Sequence, residues 1–184
     1  MARLFLRIIR WDVAGEVPAG SYVMIAAPHT SNWDLPIMLA VAAMLGARIS
    51  WMGKEQIFRW PFGELMRRLG GVPVRRDRSH NMVDQMIDLF GRSGQLILTV
   101  PPEGTRGRAE HWRSGFYYIA LGAGVPVIPG YLDYSSRIGG VGAPIELSGD
   151  VTADMDAFRA FYTPIAGKRP EKQGRIELRE EIDR

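Results

Sequence analysis

Residues 21–34 read SYVMIAAPHTSNWD, and residues 35–45 continue as LPIMLAVAAML before Gly46. Ser21 to Ala27 is an almost continuous apolar run of strand length, the pattern of a strand covered on both faces. The stretch from about Leu35 to Leu45 has helical length and a glycine stop. Pro28 to Asp34 is therefore a strand-to-helix loop, and a buried strand running into a helix opens an α/β unit.

The alternation continues outward. Arg48 to Met52 predicts a strand, Phe62 to Leu69 a helix ended by Gly70-Gly71, and Val72 to Arg75 a short strand. Asn81 to Arg92 is the clearest helix, with Met82, Val83, Met86, Ile87, Leu89 and Phe90 on one face and His80 or Asn81 placed to cap it. Gln95 to Val100 predicts a buried strand that Pro101-Pro102 stops. Gly115 to Gly122 then reads as helix, Val125 to Tyr131 as strand, Ala143 to Leu147 as an edge strand, and Thr152 to Tyr162 as a last helix. Residues 1–20 form an amphipathic lead-in and 168–184 a charged tail that is only partly ordered. No repeat or linker divides the chain, so a single domain over 1–184 is expected: an α/β sandwich of a mixed, largely parallel sheet flanked by helices. Its functional loops should lie at strand ends.

Composition narrows the function classes. With 46% hydrophobic and 23% charged residues over 184 positions, the chain can offset its ordering entropy and fold without a partner. It has no cysteine, which removes disulfides, thiolate metal sites and thiol nucleophiles together and fits a reducing compartment. The longest apolar run, Leu35 to Ala47, falls short of the roughly 18 residues that a spanning helix needs. Arginines interrupt the opening residues, so they do not read as an export signal. Arginine supplies all but three of the 23 basic residues, scattered rather than clustered, which argues against nucleic-acid binding.

The loop after the first strand carries His29 and, five positions on, Asp34. A neutral imidazole can take a proton from an alcohol near pH 7, and a carboxylate on its other nitrogen fixes the tautomer and stabilises the imidazolium. The alternative is that Asp34 merely caps the helix that follows. A second loop, Val100 to Arg106, also follows a buried strand and holds Glu103, Gly104, Thr105 and Arg106: an acid, a glycine permitting close backbone approach, and two donors suited to phosphate oxygens. No further histidine or carboxylate lies at metal-ligand spacing from His29, so no metal is expected. Lys54, His80 and His111 read as solvated.

Taken with Gly70 to Arg76 between them and Val125 to Pro129 after them, the two loops make four blocks whose order and spacing resemble the glycerolipid acyltransferase family, of the 1-acyl-sn-glycerol-3-phosphate acyltransferase type. The resemblance covers roughly Tyr22 to Tyr131. It implies the glycerol-3-phosphate acyltransferase-like fold, and transfer of an acyl group from an acyl-CoA or acyl-carrier-protein thioester to a hydroxyl of a lysophospholipid or glycerol-phosphate-type acceptor. His29 would be the general base held by Asp34; Glu103, Gly104, Thr105 and Arg106 match the acceptor-binding block, and Arg76 the arginine closing the second block. No cofactor is implied beyond the thioester co-substrate. Pro101 stands where the family commonly has an aromatic residue, and Gly107 where a small serine is common. Only 28 residues precede His29, which implies a short, peripheral member on the cytoplasmic face of the membrane. Its docking element would be residues 1–11, with Leu4, Phe5, Ile8 and Ile9 for the acyl boundary and Arg3, Arg7 and Arg10 for head groups. The alternative is that this helix packs on the core, with docking around Trp51, Phe58 and Trp60. The competing function is a non-catalytic lipid or phosphate-binding module with the same fold.

Overall fold

The computed structural model describes residues 1–74 and 79–182. Seven strands form one sheet: β1 (Asp12–Ala14), β2 (Tyr22–Ala27), β3 (Ile49–Lys54), β4 (Gly71–Val74), β5 (Ile97–Val100), β7 (Val127–Asp133) and β8 (Ile138–Val141), in the order β1-β8-β7-β2-β5-β3-β4. Among the described residues, β7 and β8 are the one antiparallel strand pair in this sheet. Two short strands, β6 (His111–Trp112) and β9 (Arg175–Leu178), make a separate parallel pair.

The expected helices are present as α1 (Ala2–Ile8), α2 (Asp34–Met44), α3 (Gly63–Arg68), α4 (Ser79–Arg92), α5 (Gly115–Ala123) and α6 (Val151–Tyr162), followed by the short α7 (Arg179–Ile182). Helices α4, α5 and α6 cover one face of the sheet, where Phe90, Phe116 and Phe158 close over Val23, Ile25 and Leu98. The other face belongs to α2, with α1 laid outside it. This explains why α2 is apolar around its whole circumference while α4 is amphipathic: neighbours take opposite sides of α2, whereas α4 keeps one side in water.

Two expectations need correction. Ala143 to Leu147 is not a strand; Ile145 alone exchanges hydrogen bonds with Val127, at 2.8 and 2.9 Å, and the preceding Pro144 has no N–H to extend the ladder. That side of the sheet is instead completed by β8, with β1 at the edge. His80 and Asn81 lie inside α4 rather than ahead of it. Within the charged tail, β9 pairs with β6 and places Leu178, fully buried, in the α6 face of the core.

The connectivity positions the site. From β2 the chain crosses through α2 to β3, passes to β4, and returns through α4 to insert β5 between β3 and β2. Met24 and Ile25 thus pair with Thr99 and Val100, and the loops leaving β2 and β5 emerge side by side at one end of the sheet. Their residues His29 and Glu103 are 74 positions apart in sequence and in direct contact.

Candidate active site

The loop between β2 and α2 is built around the Asp34 carboxylate, which is 4% exposed. Its Oδ2 accepts from the backbone N–H groups of Thr30 and Ser31 at 2.9 and 2.8 Å and lies 3.2 Å from His29 Nδ1. Its Oδ1 accepts from the Tyr134 hydroxyl at 2.7 Å. Burial pushes the Asp34 carboxyl up, but the bonds from His29, Tyr134 and Ser31 outweigh it and hold the group below the usual carboxylate range. Asp34 is the first residue of α2, yet the helix has no side-chain cap. Its carboxylate turns back on the preceding loop and contacts His29 and the loop's N–H groups instead of capping the helix. With Nδ1–H donated to Asp34, His29 Nε2 is left with a lone pair.

From the opposite side, the His29 backbone N–H donates to Glu103 Oε2 at 2.6 Å. Glu103 is also 4% exposed, and burial raises its carboxyl to about 7 despite that bond and the nearby imidazole. Gly104 has φ +67, and a Cβ there would lie 2.5 Å from Arg113 Nε and 2.7 Å from its Cδ. The glycine is required for its left-handed backbone conformation, and its missing Cβ lets the Arg113 side chain lie against the loop. Arg113 is held beside the loop by its own N–H, which donates to the Pro102 carbonyl at 2.8 Å. Thr105 Oγ1 accepts from the Gly107 N–H at 3.1 Å, and Arg106 donates to Asn32 Oδ1 across the gap between the two loops.

His29, Asp34, Glu103, Gly104, Thr105 and Arg106 are therefore brought together. Arg76 lies outside the described residues. Sequence reasoning missed three participants. Tyr134 lies 100 positions from Asp34 and past the last recognised block. Arg113 was indistinguishable from a solvated arginine. Thr30 is 1% exposed, and its Oγ1 accepts from the Arg169 N–H at 3.1 Å, tying the loop to a segment near the end of the chain.

Behind these residues a cavity of about 710 Å³ runs between α2 and the sheet. Its walls include Met24, Met38, Val41, Leu45 and Ile49, with His29 and Arg106 also on the lining. The size and lining suit a flexible apolar chain that ends at a few polar groups. Among the described residues no helix is long and apolar enough to cross a membrane.

Fold and site together define an α/β protein with a carboxylate-held histidine at the mouth of an apolar cavity, beside two arginines. The chain belongs to the Acyltransferase family, whose match runs over residues 10–133. Over 110 residues it is 27% identical to the 1-acyl-sn-glycerol-3-phosphate acyltransferase of Salmonella typhimurium and 26% identical to that of Escherichia coli. Each alignment covers 56% of this chain and 43% of the relative, so the chain spans less than half the length of the curated relatives it matches. The crystal structure of the 1-acyl-sn-glycerophosphate (LPA) acyltransferase PlsC from Thermotoga maritima shares the fold, with a TM-score of 0.64 over 89% of this chain and 74% of that one at 19% identity.

Proposed function

We propose that the protein is an O-acyltransferase that moves a fatty acyl group from an acyl-CoA or acyl-carrier-protein thioester to a hydroxyl of a lysophospholipid or glycerol-phosphate-type acceptor. The observation that carries this reading is the His29–Asp34 contact at the lining of the apolar cavity, through Nδ1 and so leaving Nε2 for the acceptor. In the reaction His29 Nε2 takes the acceptor's hydroxyl proton as the oxygen attacks the thioester carbonyl carbon. The tetrahedral intermediate then collapses, the carbon–sulfur bond breaks, and the proton passes from the imidazolium to the departing thiolate. Products are an ester and a free thiol, with no acyl-enzyme. Asp34 balances the imidazolium charge in both half-steps. The acyl chain occupies the cavity between α2 and the sheet, and Arg106 and Arg113 receive the acceptor's phosphate through charge-assisted hydrogen bonds. The ester product and a lysophospholipid acceptor are lipids while the donors are water-soluble, so the enzyme works at a membrane surface, on the cytoplasmic side where such thioesters are found.

Thiol release measured with acyl-CoA and acyl-carrier-protein donors, against lysophosphatidic acid, glycerol phosphate, a neutral monoacylglycerol and other lysophospholipids, tests this. Turnover should require a hydroxyl acceptor and favour an anionic one. Lipid binding without any thiol release would replace the enzyme with a non-catalytic binding module.

A further inference from the structure

The segment between β3 and β4 turns several large apolar side chains to the surface. A 3-10 turn (Glu55–Phe58) leads through Trp60 and Phe62 into α3. Trp60 is 93% exposed, Phe62 64%, Leu65 51% and Ile57 42%. Four large apolar groups within nine residues form a concentration of exposure that water-facing surfaces seldom carry without a partner.

The platform beneath them is firm. Phe58 is buried and stacked on Trp51 with ring centroids 5.9 Å apart. Gly63 lies so close to Phe58 that a Cβ would be 1.9 Å from its carbonyl oxygen, and the Gly63 N–H donates to the Arg59 carbonyl at 2.9 Å. Phe58 and Trp51, which the sequence suggested for docking, are thus the foundation rather than the contact surface.

We infer that this segment, residues 55–69, is the face by which the protein seats on an anionic lipid surface, an inference that rests on the acyltransferase reading above. Three features select lipid as the occupant. Trp60 and Phe62 are residue types that settle at a membrane interface. Exposed Arg59, Arg67 and Arg68 outnumber Glu55 and Glu64, and with Arg68 paired to Glu64 at 3.2 Å the apolar surface keeps a small basic excess that complements anionic head groups. Ile57 and Met66 belong both to this segment and to the lining of the cavity that reaches His29, so a lipid chain can pass from the leaflet into the cavity along continuous apolar surface.

The opening helix is placed differently. Helix α1 buries Leu6 against α2 and leaves Leu4 and Ile8 exposed, but contributes nothing to the cavity lining among the described residues.

The test is co-sedimentation of the full chain, without acyl donor, with vesicles of about three parts phosphatidylglycerol to seven of phosphatidylcholine. Wild type should bind, and 0.5 M salt should weaken binding because screening then acts within about 4–5 Å. Combining Trp60→Ser, Phe62→Ser and Leu65→Ser should reduce partitioning at least about tenfold. The same variant should keep its melting temperature and, with the soluble acceptor glycerol phosphate, its turnover within about twofold. Three results overturn the inference: no wild-type binding, wild-type partitioning by the triple variant, or loss of binding only in Leu4→Ser/Ile8→Ser. Capture of acyl-carrier protein instead of vesicles, abolished by the triple variant, would reassign the face to a protein. Because partitioning is read without catalysis, a chain that docks through this face yet releases no thiol would fail the proposed function and leave the docking surface standing.

Discussion

Asp34 and Glu103 are equally buried, each 4% exposed, and approach His29 from opposite sides, yet their carboxyl groups behave in opposite ways. Asp34 receives the Thr30 and Ser31 N–H groups, the His29 imidazole and the Tyr134 hydroxyl, and is held below its ordinary range. Glu103 receives the His29 N–H and is pushed up to about 7. Burial acts on both; the donors decide the outcome. One loop is thus organised around a fixed negative charge and the other around a carboxyl that is readily neutralised near pH 7. The same contrast runs through the anchoring of the two loops: the His29 loop is tied to the end of β7 and to Arg169, while Thr105, Arg106 and Gly107 are exposed and, among the described residues, bond to the other loop through Arg106 and Asn32.

The largest effect should come from removing the group between the two carboxylates. His29→Ala should lower turnover by about 10²–10⁴-fold, the usual loss for a general base, while circular dichroism stays unchanged. A folded variant with near wild-type thiol release would end the assignment. Asp34→Asn should fall less far, since its amide oxygen can still accept a hydrogen bond although it cannot balance an imidazolium; activity equal to wild type would leave Asp34 a purely structural role.

Glu103→Gln sharpens the contrast from the other side. A folded carboxyl raised from 4.5 to about 7 holds a proton that the unfolded chain releases, so wild-type stability falls as pH rises through that window. Glutamine does not titrate, and its carbonyl can still accept from the His29 N–H. The variant should therefore gain on wild type between pH 4.5 and 7 and level off above, by roughly 2–4 kcal/mol at about 1.4 kcal/mol per unit. Urea midpoints of the two proteins that run parallel from pH 5 to 8 would show that Glu103 carries no such cost. Arg106→Ala probes the exposed end of the same loop. It should raise the KM for an anionic acceptor about tenfold, since charge-assisted bonds contribute roughly 1.5–3 kcal/mol, with little change for a neutral alcohol or the donor. Equal shifts for charged and uncharged acceptors would move phosphate recognition to Arg113.

What the sequence made legible follows the same division. The loop after β2 could be read because its strand and helix have strong, contiguous apolar patterns, and the loop after β5 because a buried strand ends abruptly at Pro101-Pro102. β8 escaped because Gly139 and Gly140 supply no apolar alternation, and β6 and β9 because a two-residue strand and a charged segment show no period. Tyr134 and Arg113 were invisible for a different reason. Their roles depend on where β7 ends beside β2, and on a missing Cβ at Gly104, neither of which is a property of local sequence. Whether Asp34 faces helix or histidine is equally a three-dimensional fact, decided by two backbone N–H groups and a hydroxyl from 100 residues away.

Tyr134→Phe should have the smallest effect and tests the cause of the contrast most directly. It removes one donor from Asp34 Oδ1 without opening a cavity, because the ring that packs edge-on against Trp11 at 4.9 Å is retained. A folded pKa below the unfolded 3.8 means that Asp34 contributes stability fully present above that unfolded value and lost as pH falls through the folded one. Losing Tyr134's bond brings the two values closer. The variant should be less stable by about 1–2 kcal/mol near neutral pH, with the deficit shrinking in acid below both values. Turnover should fall only several-fold, because Thr30 and Ser31 still hold Oδ2 and hence His29. A deficit that persists unchanged at acid pH would mean that Tyr134 stabilises the fold through its packing on Trp11 rather than through Asp34. The depressed carboxyl would then depend on the loop's own N–H groups and His29.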